Sequence, residues 1–287
     1  MSKMICDLSV GSFIKFGRFS AYGEAPQEIR WIKVHKDNTL LTEFIERLGP
    51  FDAMEEKNPK KSISSLEDKI SEAGNNDYAL SNIRQYLNSV EKQWYKPTHE
   101  YDEPPIISTI IGNTGLLNSG GFLSDFSKDE LNAILNTEII TATINNIFEI
   151  TNDKVFIPSK TNVTGLLNID SHSYLDGVEE GVYWDYFKAG ASLRVSLSQQ
   201  CKKNFDKRYC YYDRDERNFF RYWWLRSPKQ RWDSLVRVVD DGNMCMESVC
   251  QQAYNSNIGI RPALILKSDT KVSEHPDEEG YYRVVFE

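Results

Sequence analysis

Both ends of the sequence carry segments in which apolar and polar positions alternate, the pattern that predicts half-buried β-strands. Residues 12–19 alternate in this way, with Phe13 and Phe19 on the same side. Residues 281–286, with the sequence YYRVVF, predict a last strand. We therefore expect these two strands to lie in one sheet or in neighbouring sheets.

A β-hairpin is predicted after the first strand. Residues 29–35 and 39–44 are two short apolar runs, and the Lys-Asp-Asn sequence between them is typical of a turn. His35 lies near the end of the first run, where we expect a solvated side chain.

Helical spacing is found in the middle of the chain. Ser127 and Glu130 have the spacing of a capping box and predict a helix over 127–135. Ser64 and Glu67 have the same spacing and predict a short surface helix inside the charged stretch 50–78. A longer helix is predicted over about 78–95, because five apolar residues share one face: Leu80, Ile83, Leu87, Val90 and Trp94.

After residue 138 the pattern becomes strand-like again. The segments are 138–150, 153–158, 193–197, 221–226, 235–240 and 258–266. Strands at both ends with helices between them predict a single α+β domain over residues 1–287, with mixed or antiparallel sheets.

The composition narrows the class of protein. The 287 residues are 40 % hydrophobic and 12 % aromatic, which excludes a chain that is disordered throughout. No run of 18 apolar residues occurs, so we expect no membrane span, and we find no secretion signal. The formal net charge of -8 makes nucleic acid an unfavourable partner for the chain as a whole.

Residues 210–232 form the segment richest in side chains suited to binding, with eight aromatic residues and five arginines. Nucleic-acid binding is one interpretation, in which the aromatic side chains stack on bases and the arginines pair with phosphates. However, three acidic residues reduce the positive charge of the segment. We favour a structural role, in which Trp223 and Trp224 point to opposite faces of a strand. Arg226 would then fix a loop through fork-like hydrogen bonds.

The sequences WWLRSP at 223–228 and IGIRPALIL at 258–266 resemble a family of bacterial and phage proteins of unknown function, marked by a WWLRSP and GxRPAL signature. Other stretches match it in order: GSFIKFGRF, IRWIKVHKDNTLLTEF, PFDA, LSNIRQYLN, FSKDELNAIL and NDKVFIPSKTNV. Against that pattern residues 54–79 and 165–190 are expansions, and 269–287 form an acidic C-terminal segment.

The resemblance implies a C-type-lectin-like fold, similar to that of sulfatase-modifying factors, with paired terminal strands and a ligand surface on late loops. The candidate ligand-binding residues between the WWLRSP and GIRPAL strands are Gln230, Arg231, Trp232, Tyr254, Asn255 and Asn257. Such residues suit binding hot spots and adaptable polar contacts. Alternatively, Trp232 covers the core and the asparagines form turns.

We also expect a defined core. Trp31, Trp224 and Leu264 should be largely buried. Arg226 and Arg261 should have buried or half-buried guanidinium groups that bridge backbone carbonyls or a carboxylate.

We expect no cofactor. Cys245 and Cys250 resemble the copper-binding pair of formylglycine-generating oxygenases, and thiolates suit Cu(I), but inert thiols are the favoured interpretation. Asp213, Asp215 and Asn218 carry oxygen ligands for calcium without the spacing of an EF-hand.

These features favour a non-enzymatic binding protein, cytoplasmic or phage-associated, that recognises a protein or surface ligand through its late loops. Two alternatives stay open. One is a phage or mobile-element protein that inhibits a host protein through its acidic expansions. The other is a copper-dependent oxygenase that uses Cys245 and Cys250.

Overall fold

Strands from both ends of the chain meet in one eight-stranded sheet of the computed structural model. The structure describes residues 2–59, 70–112, 115–143, 147–165, 180–204, 211–212, 219–220, 222–229, 234–239 and 250–286. Within these ranges the protein is a mixed α/β structure with several sheets and short helices.

The strands are short and numerous. They are β1 (Ser2–Met4), β2 (Phe13–Phe19), β3 (Gln27–Lys33), β4 (Thr39–Thr42), β5 (Arg47–Leu48), β6 (Thr137–Ala142), β7 (Phe148–Asp153), β8 (Val155–Phe156), β9 (Tyr211–Tyr212), β10 (Phe219–Phe220), β11 (Trp223–Pro228), β12 (Leu235–Val239), β13 (Cys250–Gln252), β14 (Gly259–Ile260), β15 (Ala263–Ile265), β16 (Lys271–Ser273) and β17 (Tyr281–Val285). The α-helices are α1 (Ile70–Ala73), α2 (Asn82–Asn88), α3 (Lys128–Ala133), α4 (Lys160–Thr164), α5 (Asp185–Lys188) and α6 (Gln199–Lys203).

The large sheet has the order β1-β16-β17-β2-β3-β4-β15-β8. Strand β17 lies parallel to β2, with Tyr281 opposite Phe13, which confirms that the first and last predicted strands share a sheet. Lys15 on β2 reinforces this pairing because its ammonium group lies 2.7 Å from a carboxylate oxygen of Asp277 and also binds Glu279.

The predicted hairpin is confirmed by the antiparallel pairing of β3 and β4, with Trp31 opposite Thr42. Asn38 adopts the left-handed conformation in the turn, with φ of 67°. Asp37 accepts a 3.0 Å hydrogen bond from the backbone N–H of Thr39, the Asx turn typical of this residue type.

Glycine is required at position 17, where β2 is irregular in its pairing with β3. Gly17 has φ of 71°, a conformation that other residues rarely adopt. A Cβ atom at this position would overlap the ring of Phe126. The site therefore excludes a side chain for two separate reasons.

The helices are shorter than the sequence predicts. Helix α3 begins as expected, because Ser127 and Glu130 form the complete capping box. Helix α2 ends at Asn88 rather than near residue 95, and Val90 is exposed. The chain then turns back, so Trp94 reaches the core by packing against Tyr86.

Two other predicted segments remain to be placed against the structure. The surface helix around Ser64 and Glu67 lies outside the described residues, except for α1 at its end. Residues 193–197 form only an isolated bridge, in which Leu197 pairs with Ile45. None of the helices described is long and apolar enough to span a bilayer.

A second sheet, of order β13-β12-β11-β14-β5, carries the WWLRSP segment on its central strand β11. Trp223 and Trp224 are both fully buried, so both faces of this strand are covered. Trp31 and Leu264 are fully buried as well, which confirms the predicted core.

Candidate functional site

Arg226 lies in a buried network of hydrogen-bonding polar groups. Its guanidinium group donates to the backbone carbonyls of Ile140 at 3.3 and 3.2 Å, Ile157 at 2.9 Å and Glu180 at 2.6 Å. It also donates to the side-chain oxygen of Asn162 at 3.0 Å. The prediction that Arg226 is buried and bridges carbonyls is confirmed.

The carboxylate of Glu180 extends the same network. It accepts a hydrogen bond from the Ser227 hydroxyl and a 3.0 Å bond from the backbone N–H of Ala142. Burial raises the pKa of Glu180, and the charge of Arg226 opposes that rise. The network therefore holds β11 against the β6–β7 hairpin.

Arg261 lies between β14 and β15, which belong to different sheets. It is buried, and its Nε donates to the carbonyl of Thr42 at 2.8 Å. Its guanidinium lies 5.1 Å from the ring centroid of Trp223. Burial lowers the pKa of Arg261 to about 10. The predicted burial of Arg261 and its contact with a backbone carbonyl are confirmed, and the structure shows one such carbonyl.

The late loop that follows β13 lies on the surface next to residues 104–112. The backbone N–H of Ile111 donates to the carbonyl of Tyr254 at 3.0 Å, and that of Ser256 donates to the carbonyl of Ile111 at 2.9 Å. Three of the predicted ligand residues, Tyr254, Asn255 and Asn257, are each half-buried. The structure therefore brings these three together.

Asn255 has a turn-forming role in this loop. Its side-chain oxygen accepts a 3.0 Å hydrogen bond from the backbone N–H of Asn257, and its side-chain amide donates to Gln251 at 3.0 Å. Asn255 thus fits the turn-forming alternative, and Tyr254 keeps a partly exposed ring.

The loop that borders this surface was not predicted from the sequence. Residues 104–112, which we call the isoleucine loop, expose Ile106, Ile107 and Ile111, and Ile107 is 72 % exposed. A pair of prolines followed by two isoleucines is an unusual sequence for a solvated loop. This sequence is the feature from which exposed apolar residues could have been predicted.

The isoleucine loop is fixed by hydrogen bonds. Thr109 donates from its hydroxyl to the carbonyl of Pro104 at 2.6 Å, and its backbone carbonyl accepts from the N–H of Met54 at 2.8 Å. The N–H of Ile106 donates to the Thr109 hydroxyl at 3.1 Å. The exposed isoleucines are therefore held in place rather than collapsed onto the core.

A buried polar cluster supports the start of this loop. Asp102 accepts from the backbone N–H of Thr98 at 2.7 Å and from the side chain of Asn82 at 3.0 Å. His99 Nε2 lies 3.1 Å from a carboxylate oxygen of Glu55. Burial raises the pKa of neighbouring Asp52 well above its usual range, and the charge of Glu55 adds to this.

His35 corrects an expectation from the sequence. The side chain is buried, and Nδ1 lies 2.7 Å from a carboxylate oxygen of Asp185. Helix α5 packs beside the end of β3, where the N–H of Tyr186 donates to the carbonyl of Val34. Helix α5, which is distant in the sequence, covers the His35 side chain. The side chain is therefore buried, although the local pattern predicts a solvated position.

Several predicted site residues lie outside the described residues: Gln230, Arg231, Trp232, Cys245, Asp213, Asp215 and Asn218. Cys250 is half-buried at the start of β13. In the ranges that the structure covers, no three His, Cys, Asp or Glu side chains are arranged to hold a metal ion. The acidic expansions are described only in part, at residues 54–59, 70–79, 165 and 180–190.

Comparison with known proteins yields one match. The family model described as "Domain of unknown function (DUF6273)" matches residues 38–268. No curated protein and no solved structure matches the chain. The matched region includes the isoleucine loop, the WWLRSP strand and the late loop.

Proposed function

The chain belongs to the DUF6273 family, a family of unknown function, and from this premise we propose that it is a non-enzymatic binding protein. Its ligand is a protein, and the contact surface is the isoleucine loop together with the late loop at 251–257. The residues named from the sequence, Tyr254, Asn255 and Asn257, border that surface.

The exposure of Ile107 is the observation that carries this proposal. Ile107 is 72 % exposed, and Ile106 and Ile111 of the same loop are exposed too. Contiguous exposed apolar side chains mark interaction surfaces more often than isolated ones do. Because hydrogen bonds already fix the loop, binding would cost little conformational entropy.

The charges near the loop indicate the chemistry of the partner. Glu100 and Glu103 lie just before the isoleucine loop, and Glu100 is exposed. A partner with an apolar pocket bordered by lysine or arginine would complement this surface. Tyr254 adds an aromatic side chain of the type that dominates binding hot spots.

We further propose a C-type-lectin-like fold. Support comes from the resemblance of the WWLRSP and GIRPAL segments and from the adjacency of β2 and β17. In folds of this kind late loops form the ligand surface, and the loop at 251–257 is such a late loop.

Affinity capture from a lysate of the source organism tests the proposed surface. The immobilised wild-type chain is compared with Ile107→Asp, and with Ile150→Asp as a matched control. Ile150 is 61 % exposed on β7, away from the isoleucine loop in the chain. We expect the wild type and the control to retain the same partner, and Ile107→Asp to lose it at least tenfold.

All three proteins should have the same melting temperature within a few degrees, because both isoleucines are solvent-exposed. Retention of the partner should fall at high salt if the acidic residues contribute. Equal capture by wild type and Ile107→Asp would overturn the proposal. Loss with Ile150→Asp alone would move the surface to the β6–β7 hairpin.

A further inference from the structure

A cavity of about 460 Å³ lies between the first strands and helix α6, and it shares no lining residue with the isoleucine loop. Buried Phe19, Ile29 and Leu197 and half-buried Phe44 contribute apolar surface. The volume falls in the range of small-molecule sites, roughly 300–1,000 Å³. The cavity can therefore hold a ligand of about ten non-hydrogen atoms.

Glu46 contributes a carboxyl group to this cavity. Ile45, the residue before it, is fixed by backbone hydrogen bonds to Ser196 and Ser198, at 3.0 and 2.9 Å. Burial raises the pKa of the Glu46 carboxyl to about 8. The hydrogen bond with Ser198 and the charge of Arg30 lower this pKa, whereas the charge of Glu43 raises it.

The other carboxylates of the described lining are already ion-paired. Glu279 binds Lys15 and lies 3.2 Å from Arg30, and Glu28 binds Arg283. Within this described lining, Glu46 is thus the one carboxyl that has no cation within 4 Å.

We propose that this cavity binds a small ligand with a primary ammonium group, which forms an ion pair with the carboxylate of Glu46. The apolar side chains of Phe19, Phe44 and Leu197 would contact the carbon skeleton of the ligand. This site goes beyond the proposed protein-binding surface and does not depend on it.

An ammonium ligand fits better than an anion or a neutral alcohol. Lys15 and Arg30 are neutralised by Asp277 and Glu279, so they offer little attraction to an anion. A neutral alcohol has no charge to complement the ionised form of Glu46, so an ammonium ligand alone gains an ion pair when this carboxyl is deprotonated. The remaining cation of the lining, Lys202, is half-buried and should weaken ammonium binding rather than create it.

Binding should release a proton from Glu46, and this predicts a distinctive pH profile. The groups that face it are Glu43 and Arg30 from the β3–β4 region, Lys15 from β2, Glu28 from β3, Glu279 before β17, and Ser198 and Lys202 near α6. Burial raises the pKa of Glu46 to about 8, close to neutral pH. Affinity for an ammonium ligand should thus rise by up to tenfold per pH unit towards about pH 8.

Three aromatic probes of similar size distinguish the ligand classes: benzylamine, benzyl alcohol and benzoate. Binding to the full chain is measured by titration calorimetry between about pH 6 and about pH 9, in two buffers of different ionisation enthalpy to count released protons. We expect benzylamine to bind most tightly, with proton release below pH 8.

The variants test whether Glu46 is responsible. Glu46→Gln should weaken benzylamine binding at least tenfold, whereas Glu91→Gln, which removes an exposed carboxylate outside the cavity lining, should leave it within twofold. Lys202→Met should strengthen it. Circular dichroism establishes that each variant is folded.

Four outcomes would overturn the proposal. They are equal binding of benzyl alcohol, tighter binding of benzoate, no binding of benzylamine to the folded wild type, and unchanged benzylamine binding by Glu46→Gln. Capture of a protein partner through the isoleucine loop is a separate readout, so either proposal can fail without the other.

Discussion

Arg226 donates from Nη2 to the backbone carbonyl of Glu180 at 2.6 Å, across 46 positions of the sequence. The same carbonyl also accepts from the hydroxyl of Ser159 at 3.1 Å. One arginine thus joins β11 to the segment that leads into α5. The contact fixes the position of the strand from which the late loops depart.

We predict that Arg226→Lys lowers the free energy of unfolding by about 1–3 kcal/mol. A lysine keeps the charge but has one nitrogen, so it cannot reach the carbonyls of Ile140, Ile157 and Glu180 together. Denaturant titration measures the change. Arg18→Lys is the control because Arg18 is exposed, and equal midpoints for the two variants would refute the role of Arg226.

A second prediction compares two glycines that both have positive φ. Gly17→Ala should destabilise the protein by clearly more than about 1 kcal/mol, because the added methyl group meets Phe126 as well as an unfavourable conformation. Gly11→Ala should show the conformational cost alone, since a Cβ there meets no atom within 4 Å. Thermal unfolding of both variants gives the difference, and equal losses would contradict the close contact at Gly17.

Local signals explain which parts of the fold the sequence predicts. The Asx turn after Asp37 and the capping box of Ser127 and Glu130 involve residues two or three positions apart, so their patterns are visible in the sequence. Arg226 and Arg261 were also predictable, because an arginine inside an apolar strand needs buried partners. The length of α2 was not predictable from the sequence. The helix ends at Asn88, and Trp94 reaches the core from outside the helix by packing against Tyr86.

The two candidate sites depend on long-range contacts and could not be derived from local patterns. The isoleucine loop is solvent-exposed because Met54 and Tyr254 hold its backbone from distant positions. The cavity at Glu46 combines segments near residues 19, 30, 46 and 200. Glu46 itself follows an apolar stretch in the sequence and there resembles an ordinary strand residue.

A third prediction concerns the pH dependence of stability. The folded pKa of Glu46 is about 8, above its ordinary value of 4.5, so the folded state retains a proton that the unfolded state releases. Wild-type stability should therefore fall as the pH rises from about 4.5 to about 8. In Glu46→Gln this fall should be reduced, so that the variant exceeds the wild type by several degrees in melting temperature at pH 8.

Melting curves at several pH values provide the measurement for Glu46. Glu91→Gln, which changes an exposed side chain outside the cavity, should give a curve parallel to that of the wild type. If Glu46→Gln is also parallel to the wild type, the carboxyl is not buried as described.

A fourth prediction concerns acid. The hydrogen bond from Lys15 lowers the pKa of Asp277 to about 2, below its ordinary value of 3.8, so this contact stabilises the fold above pH 3.8 and is lost as the pH falls towards 2. Lys15→Met should lower the melting temperature by a few degrees at neutral pH, and the difference should shrink in that acidic range. Lys36→Met, at an exposed position, serves as the control.

A fifth prediction separates binding from folding at the proposed protein surface. Tyr254→Ala should weaken partner binding by roughly 2 kcal/mol while leaving the melting temperature within a few degrees. Trp232→Ala should do the same if Trp232 belongs to the same surface. Partner affinity and melting temperature are measured on the same samples, and normal binding by both variants would place the contact elsewhere.

The position of β17 between β16 and β2 has a consequence for synthesis on the ribosome. Strand β2 emerges early, but the neighbour that completes it on that side, residues 281–285, is translated last among the strands described. Until then the nascent chain presents an open strand edge, the feature that promotes association with other chains. Closure of the sheet is therefore a late, long-range event, and a chaperone that shields strand edges would favour correct folding over aggregation.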